Sequence, residues 1–184
     1  MKMKIVKDVM VPLSEYATAS TEATLYEAVL ALEKAQAEFD QTRYRHRAIL
    51  IFDENNKIVG KISQIDILRA LEPKYDEIIE KGLFARFGLS PMYQKSLIEQ
   101  YKLWNKPLND ICRKAAQLKV KTFMTTPTEG EFVDENASLD QAINQLIMGK
   151  HQSLLVTRDK AIVGILRLTD VFVEIARNIK ECKL

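Results

Sequence analysis

A short polar run in the first half of the chain carries side chains that could bind a phosphorylated sugar. Ser63-Gln64-Ile65-Asp66 follows an apolar run that begins near Gly60, at a point where strand sequence changes to helix sequence. The Asp66 carboxylate can accept hydrogen bonds from both hydroxyls of a ribose, and Ser63 can hold a phosphate or cap the helix. Alternatively, the two side chains form a capping box with each other and bind nothing.

A second candidate run, His46-Arg47, immediately precedes the apolar segment Ala48 to Phe52. The arginine fork matches phosphate oxygens in a bidentate arrangement, and a nearby histidine can donate further hydrogen bonds. Arg43 and Arg45 add positive charge to the same region. The alternative interpretation is that these charged side chains lie before an edge strand and are solvated.

An internal repeat accounts for most of the chain. The matching segments are Val6-Lys7-Asp8-Val9-Met10 with Val120-Lys121-Thr122-Phe123-Met124 and Ala23-Thr24-Leu25 with Ala137-Ser138-Leu139, both 114 residues apart, and Gly60 through Asp66 with Gly164 through Asp170, 104 residues apart. The drift in spacing indicates that the first copy is the longer one.

Each copy contains the same predicted elements. Thr24-x-x-Glu27 and Ser138-x-x-Gln141 are capping boxes, and each is followed by apolar residues at helical spacing. Two short apolar runs separated by a polar turn then predict a hairpin. A second helix follows, from about Gln64 to Leu71 in the first copy and from about Leu168 to Ile179 in the second. The predicted order is strand, helix, strand, strand, helix, twice, which is a mixed α/β (α+β) fold.

These features together resemble the cystathionine-β-synthase-type (CBS) repeat, whose last strand and helix carry Gly-h-h-Ser/Thr-x-x-Asp, where h is an apolar residue. The resemblance covers residues 1–71 and 119–184, with a helical insertion at 72–118. It implies a pseudo-two-fold pair of repeats, a Bateman module, with two ligand clefts between them. Members of the family commonly bind AMP, ADP or ATP, sometimes S-adenosylmethionine, and regulate another activity. Many pair two modules into a disc, so the resemblance also implies a homodimer.

In the first repeat, the resemblance implies an adenine nucleotide held by Ser63, Asp66, His46 and Arg47. The family forms part of its adenine slot from the segment just before the first helix of each repeat. The residues at that place are Thr18, Ala19, Phe132 and Val133.

The second repeat departs from the family pattern at two positions. It retains His151 and Asp170, but Gln152 and Arg167 stand where the first repeat has an arginine and a serine. Arg167 could fill the second cleft, contact the phosphate of a shared ligand, or form a salt bridge with a nearby carboxylate. The sequence leaves these alternatives open.

The insertion has helical sequence. Ser90-Pro91 predicts a helix start and Asn105-Lys106-Pro107 its end, with further helices from about Pro73 to Lys81 and from about Pro107 to Leu118. Its large apolar side chains are Phe84, Phe87, Leu97, Tyr101 and Trp104. They are expected to pack on the module or a second subunit, or to form a docking face for a protein partner.

Composition limits the remaining function classes. A net charge of +2 and a sequence pI near 8.4 do not indicate a nucleic-acid partner. No apolar run reaches membrane-spanning length, and we expect no membrane association and a cytoplasmic location. Cys112 and Cys182 have no metal-ligand spacing and are expected to be free thiols. No Walker loop, dinucleotide fingerprint or nucleophile elbow is present, so we expect neither catalysis nor a catalytic cofactor or metal.

Three hypotheses follow for function. The first is a regulatory module that senses an adenine nucleotide and acts on a partner in trans. The second is a dimerisation scaffold or interaction protein with no physiological nucleotide. The third, an S-adenosylmethionine sensor, is disfavoured because the His-Arg pair suits phosphate better than a sulfonium ion.

Overall fold

The structure of the protein, a computed structural model, describes residues 4–80, 90–103 and 110–181. The first repeat contains β1 (Val11–Pro12), β2 (Thr18–Ser20), α1 (Leu25–Glu38), β3 (Ala48–Phe52), β4 (Ile58–Ser63) and α2 (Gln64–Leu71). The insertion contributes α3 (Lys74–Glu80), α4 (Pro91–Tyr101) and α5 (Ile111–Gln117). The second repeat contains β5 (Phe132–Asp134), α6 (Leu139–Met148), β6 (Ser153–Arg158), β7 (Ala161–Arg167) and α7 (Leu168–Glu181). The predicted order of elements is confirmed in both repeats.

The first helix of each repeat begins where the sequence predicts. The Thr24 hydroxyl accepts from the Glu27 N–H at 3.2 Å, and the Glu27 carboxylate accepts from the Thr24 N–H at 2.7 Å, which completes a capping box. In the second repeat, the Ser138 hydroxyl accepts from the Gln141 N–H at 3.2 Å. The reciprocal bond of that predicted box is not among the contacts of the described residues.

The strands form two sheets with the same plan. One sheet has the order β2-β3-β4 and the other β1-β7-β6-β5. In the first repeat, β2 pairs parallel with β3, and β3 forms an antiparallel hairpin with β4. In the second repeat, β5 pairs parallel with β6, and β6 forms an antiparallel hairpin with β7. Between the sheets lies a buried apolar cluster of Val11, Tyr16, Phe39, Leu50, Leu155 and Ile165. The cluster draws side chains from both repeats, so the repeats share one core.

The segments that precede the first helix of each repeat, residues 6–17 and 120–131, are here called the lead-ins. They cross between the repeats, which the sequence does not reveal. Strand β1 of the first repeat pairs with β7 of the second, with Val11 opposite Ile165. In the reverse direction, Thr125 forms an antiparallel bridge to Lys61 on β4. Each repeat therefore completes its partner's sheet edge with its own lead-in.

The two motif glycines make this crossing possible. A Cβ added to Gly164 would lie 2.5 Å from the Val11 carbonyl oxygen, and one added to Gly60 would lie 2.7 Å from Met124 Sδ. At Gly164 an added side chain would meet backbone, whereas at Gly60 it would meet the flexible end of the Met124 side chain. Close packing of the crossing segment therefore requires glycine at 164 and favours it at 60.

The insertion differs from its prediction in one boundary. Helix α4 begins at Pro91 with Ser90 as its cap, as predicted, but ends at Tyr101 because Lys102 adopts a left-handed conformation with φ of 50°. The prediction that Asn105-Lys106-Pro107 ends this helix is wrong. Leu97 is buried in a small cluster with Ile78 and Leu103. The predicted packing residues Phe84, Phe87 and Trp104 lie outside the described residues, as does Cys182.

Candidate functional site: a cavity between the repeats

A cavity of about 370 Å³ opens where the second helices of the two repeats begin. Its walls include pseudo-equivalent positions of both repeats, because Arg47 faces it from one side and Gln152 from the other. Of the predicted ligand-binding residues, the structure places five around it: Arg47, Ser63, Asp66, His151 and Arg167. The cavity is therefore the place where the sequence motifs of both repeats meet.

Ser63 and Asp66 form a capping box at the start of α2. The Ser63 hydroxyl donates to Asp66 Oδ2 at 2.6 Å and accepts from the Asp66 N–H at 3.3 Å, and the Ser63 N–H donates to Oδ2 at 2.8 Å. Within the described part of the chain, Asp66 Oδ1 accepts no hydrogen bond. The cap therefore holds the carboxylate in place and leaves one oxygen for a hydroxyl donor.

The basic segment before β3 places its side chains on two sides. Arg45 and Arg47 are exposed and line the cavity, whereas His46 between them is only 3% exposed. In an extended segment, neighbouring side chains point in opposite directions and those two apart point the same way. Arg47 therefore lines the cavity, and its contact with phosphate stays a prediction. The predicted contact of His46 with phosphate conflicts with the burial of its ring in the core.

His46 is a structural residue at the contact between the repeats. Its ring lies between Tyr16 and Phe39, with ring centroids 4.4 and 4.3 Å away. Nε2 lies 3.1 Å from the Glu15 carbonyl, and Nδ1 lies 3.2 Å from Arg167 Nη1. Because a guanidinium can only donate, Nδ1 is the acceptor. Nε2 therefore carries the hydrogen and donates it to the Glu15 backbone carbonyl in a hydrogen bond.

Burial and charge keep the His46 ring neutral. Burial, followed by the positive charge of Arg167, lowers the pKa of His46 from 6.5 to about 4. Burial also raises the pKa of the neighbouring Tyr16 hydroxyl to about 12. Both rings therefore stay uncharged at neutral pH, as a shared core requires.

In the second repeat, the residue equivalent to Asp66 is already occupied. Arg167 donates to both oxygens of Asp170, at 2.5 Å from Nε and 2.7 Å from Nη2, and Arg43 reaches the same carboxylate at 3.1 Å. Asp170 is 7% exposed. Arg167 also donates to the Tyr44 carbonyl of the first repeat at 2.8 Å. The salt-bridge alternative for Arg167 is thus the one found, and the ligand role predicted for Asp170 conflicts with its burial and its two arginine partners.

A further ion pair in the wall of the cavity escaped the sequence analysis. Lys61 on β4 pairs with Glu131, which lies just before β5 of the other repeat. Burial opposes ionisation of Glu131, but hydrogen bonds from Lys61 and Thr128 outweigh it and lower the pKa of the carboxyl group. Lys61 lies within the repeated segment Gly60 through Asp66, but Glu131 is 70 residues away and in the other repeat, so no sequence pattern could have paired them.

The remaining predicted residues are dispersed. His151 is half-buried at the cavity and packs against Gly149, where an added Cβ would lie 2.1 Å from Nε2. The predicted adenine slot of Thr18, Ala19, Phe132 and Val133 does not line this cavity. Ala19 and Val133 are buried in the two repeat cores, while Thr18 and Phe132 line separate surface cavities. Strand alternation turns the two residues of each pair to opposite faces, so only one side chain of each pair can face a given cleft.

The described residues contain no helix that is both long and apolar enough to cross a membrane. They also contain no cluster of three or more His, Cys, Asp or Glu side chains suited to a metal ion. Cys112 is a free, exposed thiol.

The fold and the cavity define the molecule as a tandem α/β repeat module with a cleft between its repeats. A sequence profile of the CBS domain matches residues 6–73 and 120–177. These spans cover more than half of the chain, so the protein belongs to the CBS domain family. A comparison with curated proteins finds no match.

Solved structures of CBS proteins share this fold. A CBS domain from a membrane protein of Sphaerobacter thermophilus matches with a TM-score of 0.60 and 18% identity, over 94% of this chain and 88% of that one. CBSX2 in complex with AMP matches with 0.57 and 20% identity, over 96% and 98%. The CBS domain of a bacterial CNNM/CorC family Mg²⁺ transporter in complex with ATP matches with 0.58 and 17% identity, over 94% and 87%. At such identities the likeness concerns the fold.

Proposed function

We propose that the protein is a regulatory module that binds an adenine nucleotide in the cavity between its CBS repeats and acts on a partner in trans. The observation that carries this proposal is the position of Asp66. Its capped carboxylate lies in the same cavity as the exposed guanidinium of Arg47. An acceptor for ribose hydroxyls and a donor for phosphate oxygens are the two groups that recognition of a nucleotide requires.

Two related structures add support to this proposal. CBSX2 was solved with AMP and the CNNM/CorC domain with ATP. Both proteins share the two-repeat fold, so an adenine nucleotide as ligand is compatible with the architecture. The role we assign is binding, and it involves no catalytic step or metal ion.

The proposal limits binding to one of the two pseudo-equivalent clefts. Asp66 keeps one oxygen without a partner within the described residues, whereas both oxygens of Asp170 accept from Arg167. A ribose could reach Asp170 only by displacing a buried bidentate ion pair. We therefore expect one nucleotide per chain.

Thermal unfolding tests the proposal directly. A ligand that binds only the folded state stabilises it by mass action, by about 2.7 kcal/mol at about 100 times its Kd. We expect AMP, ADP or ATP to raise the melting temperature, and GTP and S-adenosylmethionine to have little effect. Asp66→Asn should abolish the shift. Asp170→Asn, the equivalent change in the second repeat, should lower the starting stability and retain the shift. Absence of a shift with any adenine nucleotide would refute the proposal.

A scaffold role has its own supporting observation. Helices α2 and α7 expose large apolar side chains, among them Ile65 (66%), Leu68 (55%) and Phe172 (62%). Such a surface suits a second copy of the chain, and we propose a homodimer through these helices. Sedimentation equilibrium of the protein and of Leu68→Lys should show a dimer only for the unsubstituted chain. If no nucleotide binds and the dimer persists, the scaffold role takes precedence.

The insertion is the proposed contact for the regulated partner. Helix α5 packs on α1, which fixes the insertion to the body of the module. An S-adenosylmethionine sensor does not suit the cavity, because a sulfonium cation would face the guanidinium groups of Arg45 and Arg47.

A further inference from the structure

Some of the positive charge in the cavity is balanced within the protein. Lys61 pairs with Glu131, whose carboxylate is buried behind the cavity wall. Arg167 pairs with Asp170 in the same way. The Lys61–Glu131 pair joins the two repeats, and Arg167 joins them through the Tyr44 carbonyl. The charge of each cation is largely neutralised by a carboxylate at contact distance.

Three further cations at the cavity have no such partner. Arg45, Arg47 and Lys150 line it, and none takes part in a salt bridge within residues 4–80, 90–103 and 110–181. Asp66 is the one carboxylate in the lining, and it is the proposed ribose acceptor. Like charges gathered in one concave site repel each other, which favours a ligand that carries several negative charges.

The three cations approach from different repeats. Arg45 and Arg47 lie two residues apart in the segment before β3, and Lys150 is the equivalent of Arg45 in the second repeat, just before β6. A monophosphate presents its charge at one phosphorus atom. A triphosphate distributes its charge along a chain that can contact cations on both walls of a cavity.

We infer that the ligand of this cavity is an adenosine triphosphate rather than a monophosphate. Its terminal phosphates contact Arg45, Arg47 and Lys150, while its ribose lies at Asp66. This inference rests on the proposed function and specifies the ligand class of the same site. It also makes the ligand a bridge between the repeats, since Arg45 and Lys150 belong to different ones.

Calorimetric titration with ATP, ADP and AMP tests the inference, with EDTA present so that each nucleotide carries its full charge. A hydrogen bond to a charged group is strong enough that each added phosphate should improve Kd by about tenfold. Inorganic tripolyphosphate should compete with ATP. The affinity for ATP should fall with added salt more steeply than the affinity for AMP.

Substitutions assign the effect to individual side chains. Lys150→Gln should reduce ATP affinity about tenfold while changing AMP affinity little, whereas Arg47→Gln, which introduces the residue type that the second repeat has at the equivalent position, should weaken both nucleotides. Lys57→Gln removes one positive charge at the far end of β4 and serves as the control.

The outcomes separate this inference from the proposed function. Equal affinities for AMP and ATP would overturn the triphosphate inference and leave the nucleotide module in place. Failure of all three nucleotides to bind would overturn both. Equal losses of ATP affinity in Lys57→Gln and Arg47→Gln would overturn the assignment to the cavity, because the effect would then come from net charge alone.

Discussion

Acidification should destabilise the protein through one buried histidine. His46 has a pKa of about 4 when folded, against 6.5 as its ordinary value. As the pH falls below 6.5, His46 therefore becomes protonated in the unfolded chain while it stays neutral in the folded chain. The stabilisation is complete above the unfolded pKa, is lost between 6.5 and about 4, and amounts at most to about 3 kcal/mol. Lowering the pH from about 7.5 to about 5 should remove about 2 kcal/mol.

His46→Gln isolates this contribution. Glutamine can still accept from Arg167 and donate to the Glu15 carbonyl, but it does not titrate. The variant should be less stable at neutral pH, and its stability should fall less on acidification, by about 2 kcal/mol between the same two pH values. For a chain of this length, that difference is about 4–8 °C in melting temperature.

Urea unfolding across this pH range is the assay, with the slope on urea concentration checked for constancy. Carboxylates that titrate near the lower limit contribute equally to both proteins and cancel in the comparison. Identical pH dependence of the two proteins would refute the assignment of the buried neutral tautomer. So would an NMR titration that places the His46 pKa near 6.5.

Further predictions concern the Arg167–Asp170 ion pair in the second repeat and the motif glycines. Arg167→Met should destabilise the fold by about 3 kcal/mol in urea unfolding, because it leaves Asp170 buried with Arg43 alone, and adding Asp170→Asn should recover part of the loss. Calorimetry should give one nucleotide per chain, and two would contradict our inference that the Arg167–Asp170 ion pair prevents ribose binding at Asp170. Gly164→Ala should cost about 2 kcal/mol because its Cβ meets backbone, whereas Gly60→Ala should cost less because the Met124 side chain can move. Equal losses would show that the two crossings are equally rigid.

Local features were predictable from sequence because they depend on neighbouring residues. The cap at Thr24 sets the start of α1, and the cap at Ser63 sets both the start of α2 and the orientation of Asp66. Turn residues set the hairpins in the same way. The fold class followed from these features because the same set of elements occurs twice, and the pairing of the two repeats into one module followed from the resemblance to the CBS family.

Features that depend on distant residues were not predictable. The direction of the His46 side chain depends on Tyr16 and Phe39, which come from the lead-in and from the end of α1. The crossing of the lead-ins appears only when both sheets are assembled. Helix α4 ends early because Lys102 adopts a left-handed conformation. Lysine is not a residue type that favours this conformation, so the sequence does not predict it.

The difference between the two repeats at position 167 connects the cavity between the repeats to the Arg167–Asp170 ion pair of the second repeat. Arg167 donates hydrogen bonds to the Tyr44 carbonyl and to the His46 ring. Tyr44 directly precedes Arg45, and His46 lies between Arg45 and Arg47, the two arginines that face the cavity. Arg167, which stands where the first repeat has Ser63, therefore joins the Asp170 ion pair of the second repeat to the basic segment of the first. A ligand can shift a protein only if its affinity differs between two arrangements. Displacement of Arg45 or Arg47 by a bound phosphate would move residues 44–47, and through Arg167 it would act on the start of α7, whose exposed face is the proposed dimer surface. On the proposed function, the Arg167 guanidinium would link the ligand cavity to the dimer surface.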